Sequence, residues 1–371
     1  MLNIIQLCFS PGYGGLELYV LKIAKNLAPQ EFNIIPVVSA GTHLQKRLSE
    51  EAIDHISLKR PYRYLPFLTA WRLARIIDKH NINIIHIHWG HDLLVAVLAK
   101  LLSKPRPRLV YTRQMELTRS KKDIYHRFVY RHVDRIFHIT QKLVNDAIKY
   151  LPIEHEKNQL VYSGVPDNDE SKEVDCNFIR SYGMSGESFK IAIFGRIEEG
   201  KGQHLVVHAA IQLRNEGYDV QTAMIGHIMD QNYFQLLKNK IAEVEMVDHI
   251  HYLGFHENPV TIMPCFDVII LATKCETFGL VLPEAMRAGV AVIGSDCGGV
   301  PEIIMHEKTG LLFRTQDVDD LTQQIRRLID GPELRQQLAL AGKKEADQRF
   351  SQEGHYQQLS DLYKQLVNDS K

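Results

Sequence analysis

Short apolar runs alternate with helix-forming segments in two successive rounds along this 371-residue chain. In the first round, residues 2–9, 82–87 and 109–112 have strand character, and residues 16–27 carry apolar side chains at helical spacing. The second round begins with a strand at residues 190–194. Because short strands that alternate with helices pair in parallel, the sequence predicts two parallel, doubly wound α/β sheets.

A polar segment at residues 166–187 separates the two rounds, and a chain of this length usually forms two domains. We therefore predict a first domain at residues 1–168 and a second at 169–352. No apolar run reaches the roughly 18 residues of a membrane span. The five cysteines are odd in number and form no CxxC pair. They predict a reduced, cytoplasmic protein without disulfides or structural zinc.

The zero net charge of the chain conceals two halves of opposite sign. Residues 1–168 hold 24 Lys and Arg against 14 Asp and Glu, whereas residues 169–371 hold 20 against 30. Eleven of the basic residues lie between Lys104 and Lys142. Two interpretations stay open: a solvated basic face, or attraction to an anionic membrane or a phosphorylated acceptor. We expect no nucleic-acid partner.

Two carboxylates, Glu276 and Glu284, stand eight positions apart where a loop leads into a helix-forming run. Backbone N–H groups at the start of a helix favour anions. A carboxylate on the loop and another a turn into the helix can then bind hydroxyls beside a phosphate. This combination predicts a site for a nucleotide-sugar.

Residues 275–289, 292–304 and 309–312 together resemble the two-glutamate signature of the retaining GT-B glycosyltransferases of family 4. The resemblance implies two Rossmann-like domains that face across a cleft. The N-terminal domain would bind the acceptor and the C-terminal domain the nucleotide-sugar. It also implies that a last helix, at about residues 353–371, packs back on the N-terminal domain.

Arg196 and Lys201 follow the strand at residues 190–194, and ligands bind at the carboxyl ends of strands in such sheets. The resemblance implies that these two cations clamp the donor diphosphate, that Glu276 binds the donor sugar and that Glu284 binds the ribose. Arg196, Lys201 and Glu276 are the predicted catalytic residues. The other predicted donor-binding residues are Gly14, Gly15, Gly195, Phe255, Thr277, Phe278, Gly279 and Leu280.

The predicted acceptor or sugar pocket contains Glu17, His88, Arg113 and Gln114. Many relatives place a histidine after the corresponding strand, where this chain has Gln114. Glutamine can hydrogen-bond a hydroxyl but cannot shuttle a proton, so histidine-assisted chemistry is in doubt. The histidines around His88 match no zinc motif, and we predict no metal site.

The resemblance implies transfer of a sugar from a UDP-sugar to a glycan or lipid-linked acceptor, with retention and without a cofactor. Lipopolysaccharide core or another surface polysaccharide is the expected product, and the inner face of the cytoplasmic membrane the expected location. A soluble small-molecule acceptor and a non-catalytic GT-B binding protein are alternatives. A dehydrogenase is disfavoured, because Glu17 occupies the third glycine position of the GxGxxG spacing.

Overall fold

The computed structural model describes residues 1–12, 14–27, 31–61, 66–166, 174–184 and 186–368. The chain divides into two compact units. The first is Met1–Tyr162 with Glu353–Lys371, and the second is Ser163–Gln352. The boundary predicted between residues 168 and 169 lies outside the described residues.

The first unit contains a parallel sheet of seven strands in the described part of the chain. The strands are β1 (Leu2–Cys8), β2 (Phe32–Ser39), β3 (Ile56–Leu58), β4 (Ile84–Ile87), β5 (Arg108–Arg113), β6 (Arg135–His138) and β7 (Asn158–Leu160). Their spatial order is β3-β2-β1-β4-β5-β6-β7. The helices between them are α1 (Gly15–Asn26), α2 (His43–Glu50), α3 (Phe67–Lys79), α4 (Leu93–Leu102), α5 (Ile124–Tyr130) and α6 (Gln141–Tyr150).

The second unit contains a parallel sheet of six strands among its described residues. The strands are β8 (Phe189–Phe194), β9 (Val220–Ile225), β10 (Ile250–Tyr252), β11 (Val268–Leu271), β12 (Ala291–Ser295) and β13 (Leu311–Phe313). Their spatial order is β10-β9-β8-β11-β12-β13. The helices are α7 (Cys176–Arg180), α8 (Gln203–Asn215), α9 (Gln231–Glu243), α10 (Pro259–Ile262), α11 (Val281–Arg287), α12 (Val300–Ile303), α13 (Val318–Asp330) and α14 (Pro332–Arg349).

These elements form where the sequence pattern predicts them, and the prediction of doubly wound α/β sheets is confirmed. All four residues of β4 are buried, as a central parallel strand requires. Helix α6 buries one apolar face and is capped by Thr140, whose hydroxyl accepts a hydrogen bond from the Leu143 N–H. Asp230 and Asp317 cap α9 and α13 in the same way.

The last helix, α15 (Gln352–Asn368), crosses into the first unit. Its buried Leu359, Tyr363 and Leu366 pack against apolar side chains of the first sheet, including Ile84 and Phe137. Burial of this apolar face stabilises the helix in place, since each fully buried large apolar side chain contributes about 2 kcal/mol.

Below α15 lies a layer of buried polar groups. His86 on β4 makes hydrogen bonds to the hydroxyls of Tyr363 and Thr112. His88 donates from Nε2 to Gln6 Oε1 at 2.6 Å. His355, on α15 itself, hydrogen-bonds the Tyr162 carbonyl oxygen through Nδ1 at 2.7 Å. The layer therefore connects the helix to the sheet through neutral groups.

Cys176 and Cys265 are joined by a disulfide bond in the second unit. The prediction of a chain without disulfides is therefore wrong. The two cysteines lie 89 residues apart, and the fold brings α7 next to the 3-10 turn Met263–Cys265. Sequence spacing alone contains no signal for such a pair. None of the described helices combines the length and the apolar character that a membrane span requires.

The buried histidines predict that acid destabilises the first unit. Burial lowers the pKa of His138 and of His355 to about 4, and that of His88 to about 3. The unfolded chain protonates these groups near pH 6.5, so below that pH the unfolded state binds more protons than the folded state. The free energy of unfolding should therefore fall as the pH decreases from 6.5 towards 4, by up to about 3 kcal/mol for each of His138 and His355.

Urea unfolding at a series of pH values measures this loss. In His138→Gln the dependence on pH should be shallower, because one buried imidazole is removed. Equal stability at pH 6.5 and pH 4.5 would contradict the prediction.

Candidate active site

The second sheet has a switch point between β8 and β11. The chain proceeds from β8 to β9 and β10 on one side, and then returns to place β11 on the other side of β8. Such a reversal leaves a crevice outside the carboxyl ends of the two strands, and ligands bind there in open α/β sheets. The loops that follow β8 and β11 border this crevice.

These two loops are held together by backbone contacts that only glycine permits. Gly202 has a φ of +76°, and a Cβ atom there would lie 2.0 Å from the carbonyl oxygen of Ala272. The N–H of Lys274 and the hydroxyl of Thr273 both donate to the Gly200 carbonyl oxygen, at 3.0 and 3.1 Å. The position of one loop therefore determines the position of the other.

Two predicted site residues meet across this junction. Lys201 Nζ lies 2.8 Å from Glu276 Oε2, and both side chains are about one-fifth exposed. The other oxygen of Glu276 accepts a hydrogen bond from the Thr277 N–H at 3.2 Å. A lysine and a carboxylate thus face the crevice as a partly exposed ion pair.

Arg196 stands at the other side of the loop after β8. Its guanidinium pairs with Glu198 at 2.8 Å and is more than half exposed. Exposed ion pairs of this kind contribute little to stability, so an anionic ligand can compete with Glu198 for the guanidinium at small cost.

The loop after β12 fixes Glu276 from its other side. Gly298 has a φ of +59°, and a Cβ atom there would lie 1.8 Å from the Glu276 carbonyl oxygen. The same oxygen accepts a hydrogen bond from the Gly299 N–H at 2.9 Å. Glu276 therefore has a backbone position set by both neighbouring loops.

Residues 277–280 lead from Glu276 into α11. Gly279 adopts a φ of +88°, which favours glycine and turns the chain into the helix. The ring of Phe278 is buried and packs edge-on against Phe350 at 5.7 Å between centroids. A ligand in the crevice would therefore meet the backbone of Phe278 rather than its ring. Glu284 follows in the first turn of α11 and is partly exposed.

An aromatic platform follows β9 and β10. Phe255 is more than half exposed, and its ring stacks on the His227 imidazole with centroids 3.9 Å apart and planes at 12°. The His227 carbonyl oxygen accepts a hydrogen bond from the Ile197 N–H at 2.8 Å, next to Arg196. A Cβ atom at Gly226 would lie 1.9 Å from the carbonyl oxygen of Gly195. The platform is thereby joined to the arginine loop. His227 is absent from the predicted site residues. Its position two residues after β9, at the carboxyl end of a strand, could have indicated it.

The remaining predicted residues lie in the first unit, at the carboxyl ends of β1, β4 and β5. Gly14 donates its N–H to Glu17 Oε2 at 2.8 Å, so the buried Glu17 caps α1, which begins at Gly15. His88 is buried in the polar layer, where burial lowers its pKa. Arg113 is buried, and its Nε has no hydrogen-bond partner among the described residues. The same is true of Nε2 in Gln114.

Metal ligands are not clustered in the described part of the chain. No group of three or more His, Cys, Asp or Glu side chains there has an arrangement that could hold a metal ion. The charged groups of the crevice are instead two cations and the carboxylates beside them.

Known families cover most of the chain. A family model described as "Glycosyl transferases group 1" matches residues 174–345, and one described as "Glycosyltransferase Family 4" matches residues 13–169. The chain belongs to the family 4 glycosyltransferases.

One similar protein is N-acetyl-alpha-D-glucosaminyl L-malate synthase of Bacillus anthracis, with 24% identity over 97% of this chain and 96% of the relative. The lipopolysaccharide core biosynthesis mannosyltransferase LpsB of Rhizobium meliloti is 23% identical over 76% of this chain and 79% of its own length. The crystal structure of Anabaena HepE in complex with UDP is 20% identical and covers 98% of this chain and 100% of that chain, with a TM-score of 0.85. This likeness confirms the GT-B fold.

Substitution of Gly298 tests whether its close contact with the Glu276 carbonyl oxygen contributes to stability. Gly298→Ala places a methyl group against a carbonyl oxygen and should lower the free energy of unfolding. Gly289→Ala is the matched control, because Gly289 has a φ of +73° and a Cβ atom there would have no neighbour within 4 Å. The control should cost about 1 kcal/mol from backbone strain alone. Gly298→Ala should cost roughly twice as much or more in urea unfolding. Equal losses would show that the contact has no steric consequence.

Proposed function

We propose that this glycosyltransferase moves a sugar from a UDP-sugar to a glycan or lipid-linked acceptor, with retention at the anomeric carbon and without a metal ion. One observation carries the proposal. At the switch point of the second sheet, Lys201 Nζ lies 2.8 Å from Glu276 Oε2, and Arg196 lies on the same loop as Lys201. A nucleotide-sugar presents a diphosphate and sugar hydroxyls together, and these groups match a pair of cations beside a carboxylate.

The donor would occupy the second unit, from the aromatic platform to Glu276. The exposed Phe255 ring suits a nucleobase, and Arg196 and Lys201 lie on the next loop, where the diphosphate would follow. Glu284 would bind the ribose, and the backbone of Thr277, Phe278, Gly279 and Leu280 would meet the phosphates, with Gly195 allowing close approach. The UDP complex of HepE, a protein of the same fold, supports UDP as the nucleotide.

Catalysis would follow from electrostatic stabilisation of the leaving group. As the bond between the anomeric carbon and the diphosphate breaks, negative charge grows on the phosphate oxygen, and Arg196 and Lys201 stabilise it. The ion pair with Glu276 opens when Lys201 turns to the phosphate, which frees the carboxylate to accept a hydrogen bond from a sugar hydroxyl. The acceptor oxygen forms its bond on the same face, and its proton passes to the leaving phosphate.

The acceptor would bind to the first unit, with Glu17, His88, Arg113 and Gln114 at or near its site. The neighbouring Gly14 and Gly15 stay predicted contacts of the donor. Glu17 and His88 act there by positioning, because each is buried and already hydrogen-bonded. Arg113 and Gln114 carry buried N–H groups without acceptors among the described residues, which a polar acceptor group would satisfy.

Contact with the inner face of an anionic membrane is proposed for the exposed face of α3. Phe67, Leu68 and Trp71 are each more than half exposed on this helix, and Arg72 and Arg75 are exposed beside them. Apolar and aromatic side chains interleaved with arginine suit a membrane interface. This location fits a lipid-linked acceptor in the synthesis of lipopolysaccharide core or another surface polysaccharide.

Nucleotide binding tests the donor site. UDP should raise the melting temperature, since a ligand that binds only the folded state stabilises it. Arg196→Ala and Glu284→Ala should abolish the shift, whereas Lys240→Ala, at an exposed position on α9, should retain it. The melting temperature is also measured with GDP, ADP and CMP, so that the shifts show which base the site prefers. No shift with any nucleotide, or equal shifts in all variants, would contradict the proposal. If UDP binds but the sugar of a UDP-sugar is neither hydrolysed nor transferred, the result would favour the non-catalytic binding protein.

Vesicle binding tests the membrane surface. Co-sedimentation with phosphatidylglycerol vesicles should fall several-fold in the double variant Phe67→Ser, Leu68→Ser, because the apolar side chains that would enter the interface are removed. Leu340→Ser changes an equally exposed leucine on α14 of the second unit and should bind as the unaltered chain does. Equal binding by both variants would assign the contact to another surface.

A further inference from the structure

A cavity of about 150 Å³ lies at the carboxyl edge of the first sheet. Its described walls include Arg60, Trp89, Asp92 and the apolar side chains of Leu94 and Val95 on α4. The first sheet reverses its strand order between β1 and β4, and Trp89 and Asp92 lie in the segment between β4 and α4. The cavity therefore borders the switch point of the first unit, where open α/β sheets bind ligands.

Asp92 lines this cavity, and its carboxyl group is not fully hydrogen-bonded. The residue is fully buried, and its Oδ2 accepts a hydrogen bond from the Phe9 N–H at 2.9 Å. Its Oδ1 is buried without a hydrogen-bond partner among the described residues. An unpaired buried carboxyl oxygen is costly, so a ligand hydroxyl that reached it would be bound favourably. Burial also raises the pKa of Asp92 to about 8, and a neutral acid can donate as well as accept.

The lining of the cavity also combines an aromatic ring with a cation. Trp89 is partly buried, and the guanidinium of the exposed Arg60 lies 5.2 Å from the centroid of its ring. An indole presents an apolar surface to the C–H groups of a sugar ring, and a guanidinium donates to hydroxyl oxygens. A site for a purely apolar group would contain neither the buried acid nor the arginine.

We propose that this cavity is a subsite for one pyranose ring of the acceptor, with Trp89 as its apolar wall and Asp92 and Arg60 as its hydroxyl-binding groups. A cavity of about 150 Å³ admits a six-membered ring. The inference rests on the proposed function, because it identifies the acceptor as a saccharide at the subsite. Leu94 and Val95 would exclude water from one side of the ring.

Tryptophan fluorescence of the full chain tests the subsite without a transferase assay. The chain has two tryptophans, so Trp71→Phe leaves Trp89 as the single reporter. In this background we would titrate methyl glycosides of glucose, galactose, mannose and N-acetylglucosamine, with cyclohexanol as the apolar ring of similar size. At least one glycoside should give a saturable change, and cyclohexanol should give none. Adding Asp92→Asn or Arg60→Gln should weaken the response at least tenfold.

The outcomes separate the subsite from the donor site. Arg60 is exposed, so Arg60→Gln tests the subsite even if Asp92→Asn fails to fold. No saturable change with any glycoside, an unchanged response in Arg60→Gln, or a response to cyclohexanol alone would overturn the proposal. The UDP-dependent thermal shift should persist in both variants, because its residues lie in the second unit. Loss of glycoside binding with that shift retained therefore isolates the subsite, whereas absence of the shift in the unaltered chain contradicts the donor site.

Discussion

Close backbone contacts around the loop that follows β11 determine the geometry of the candidate donor site. The loop lies against Gly202 on one side and against Gly298 on the other, and neither position has room for a side chain. As a result Glu276 meets Lys201, although the two residues stand 75 positions apart in the sequence. In the proposed donor complex the charged groups would change partners, while the backbone that carries them stays in place. This combination of a fixed backbone and exchangeable ion pairs suits a site that must stabilise charge as it develops.

The two units differ in the exposure of the polar groups at the carboxyl edges of their sheets. In the second unit the edge carries partly exposed cations in ion pairs. In the first unit several polar groups are buried, and the imidazoles of His86 and His88 are hydrogen-bonded to hydroxyl and amide groups. Burial lowers the pKa of both histidines, so they serve as fixed hydrogen-bonding groups rather than as proton carriers. The unpaired oxygen of Asp92 is one of several buried polar atoms of this unit without a partner among the described residues, and we propose that a hydroxyl of the ligand pairs with it.

Much of the fold could be predicted from the sequence, because the signals for its strands and helices are local. The spacing of apolar residues identified both parallel sheets. The position of Arg196 and Lys201 after a strand indicated a ligand-binding edge, whereas Glu276 was assigned to the site through the family resemblance. How deeply a side chain is buried below that edge depends on tertiary packing, and so the burial of Arg113 was not foreseen. Asp92 was missed because an acidic residue before a helix is typical of an ordinary helix start. The disulfide between Cys176 and Cys265 depends on tertiary packing, which spacing does not encode.

The central claim is that Arg196 and Lys201 bind the diphosphate of the donor. A crystal structure of the protein with UDP tests it most directly. We expect phosphate oxygens within about 3 Å of Lys201 Nζ and of the Arg196 guanidinium. We also expect the distance between Lys201 Nζ and Glu276 Oε2 to be longer than its present 2.8 Å. UDP bound elsewhere, or bound with both ion pairs intact and neither cation in contact with it, would contradict the claim.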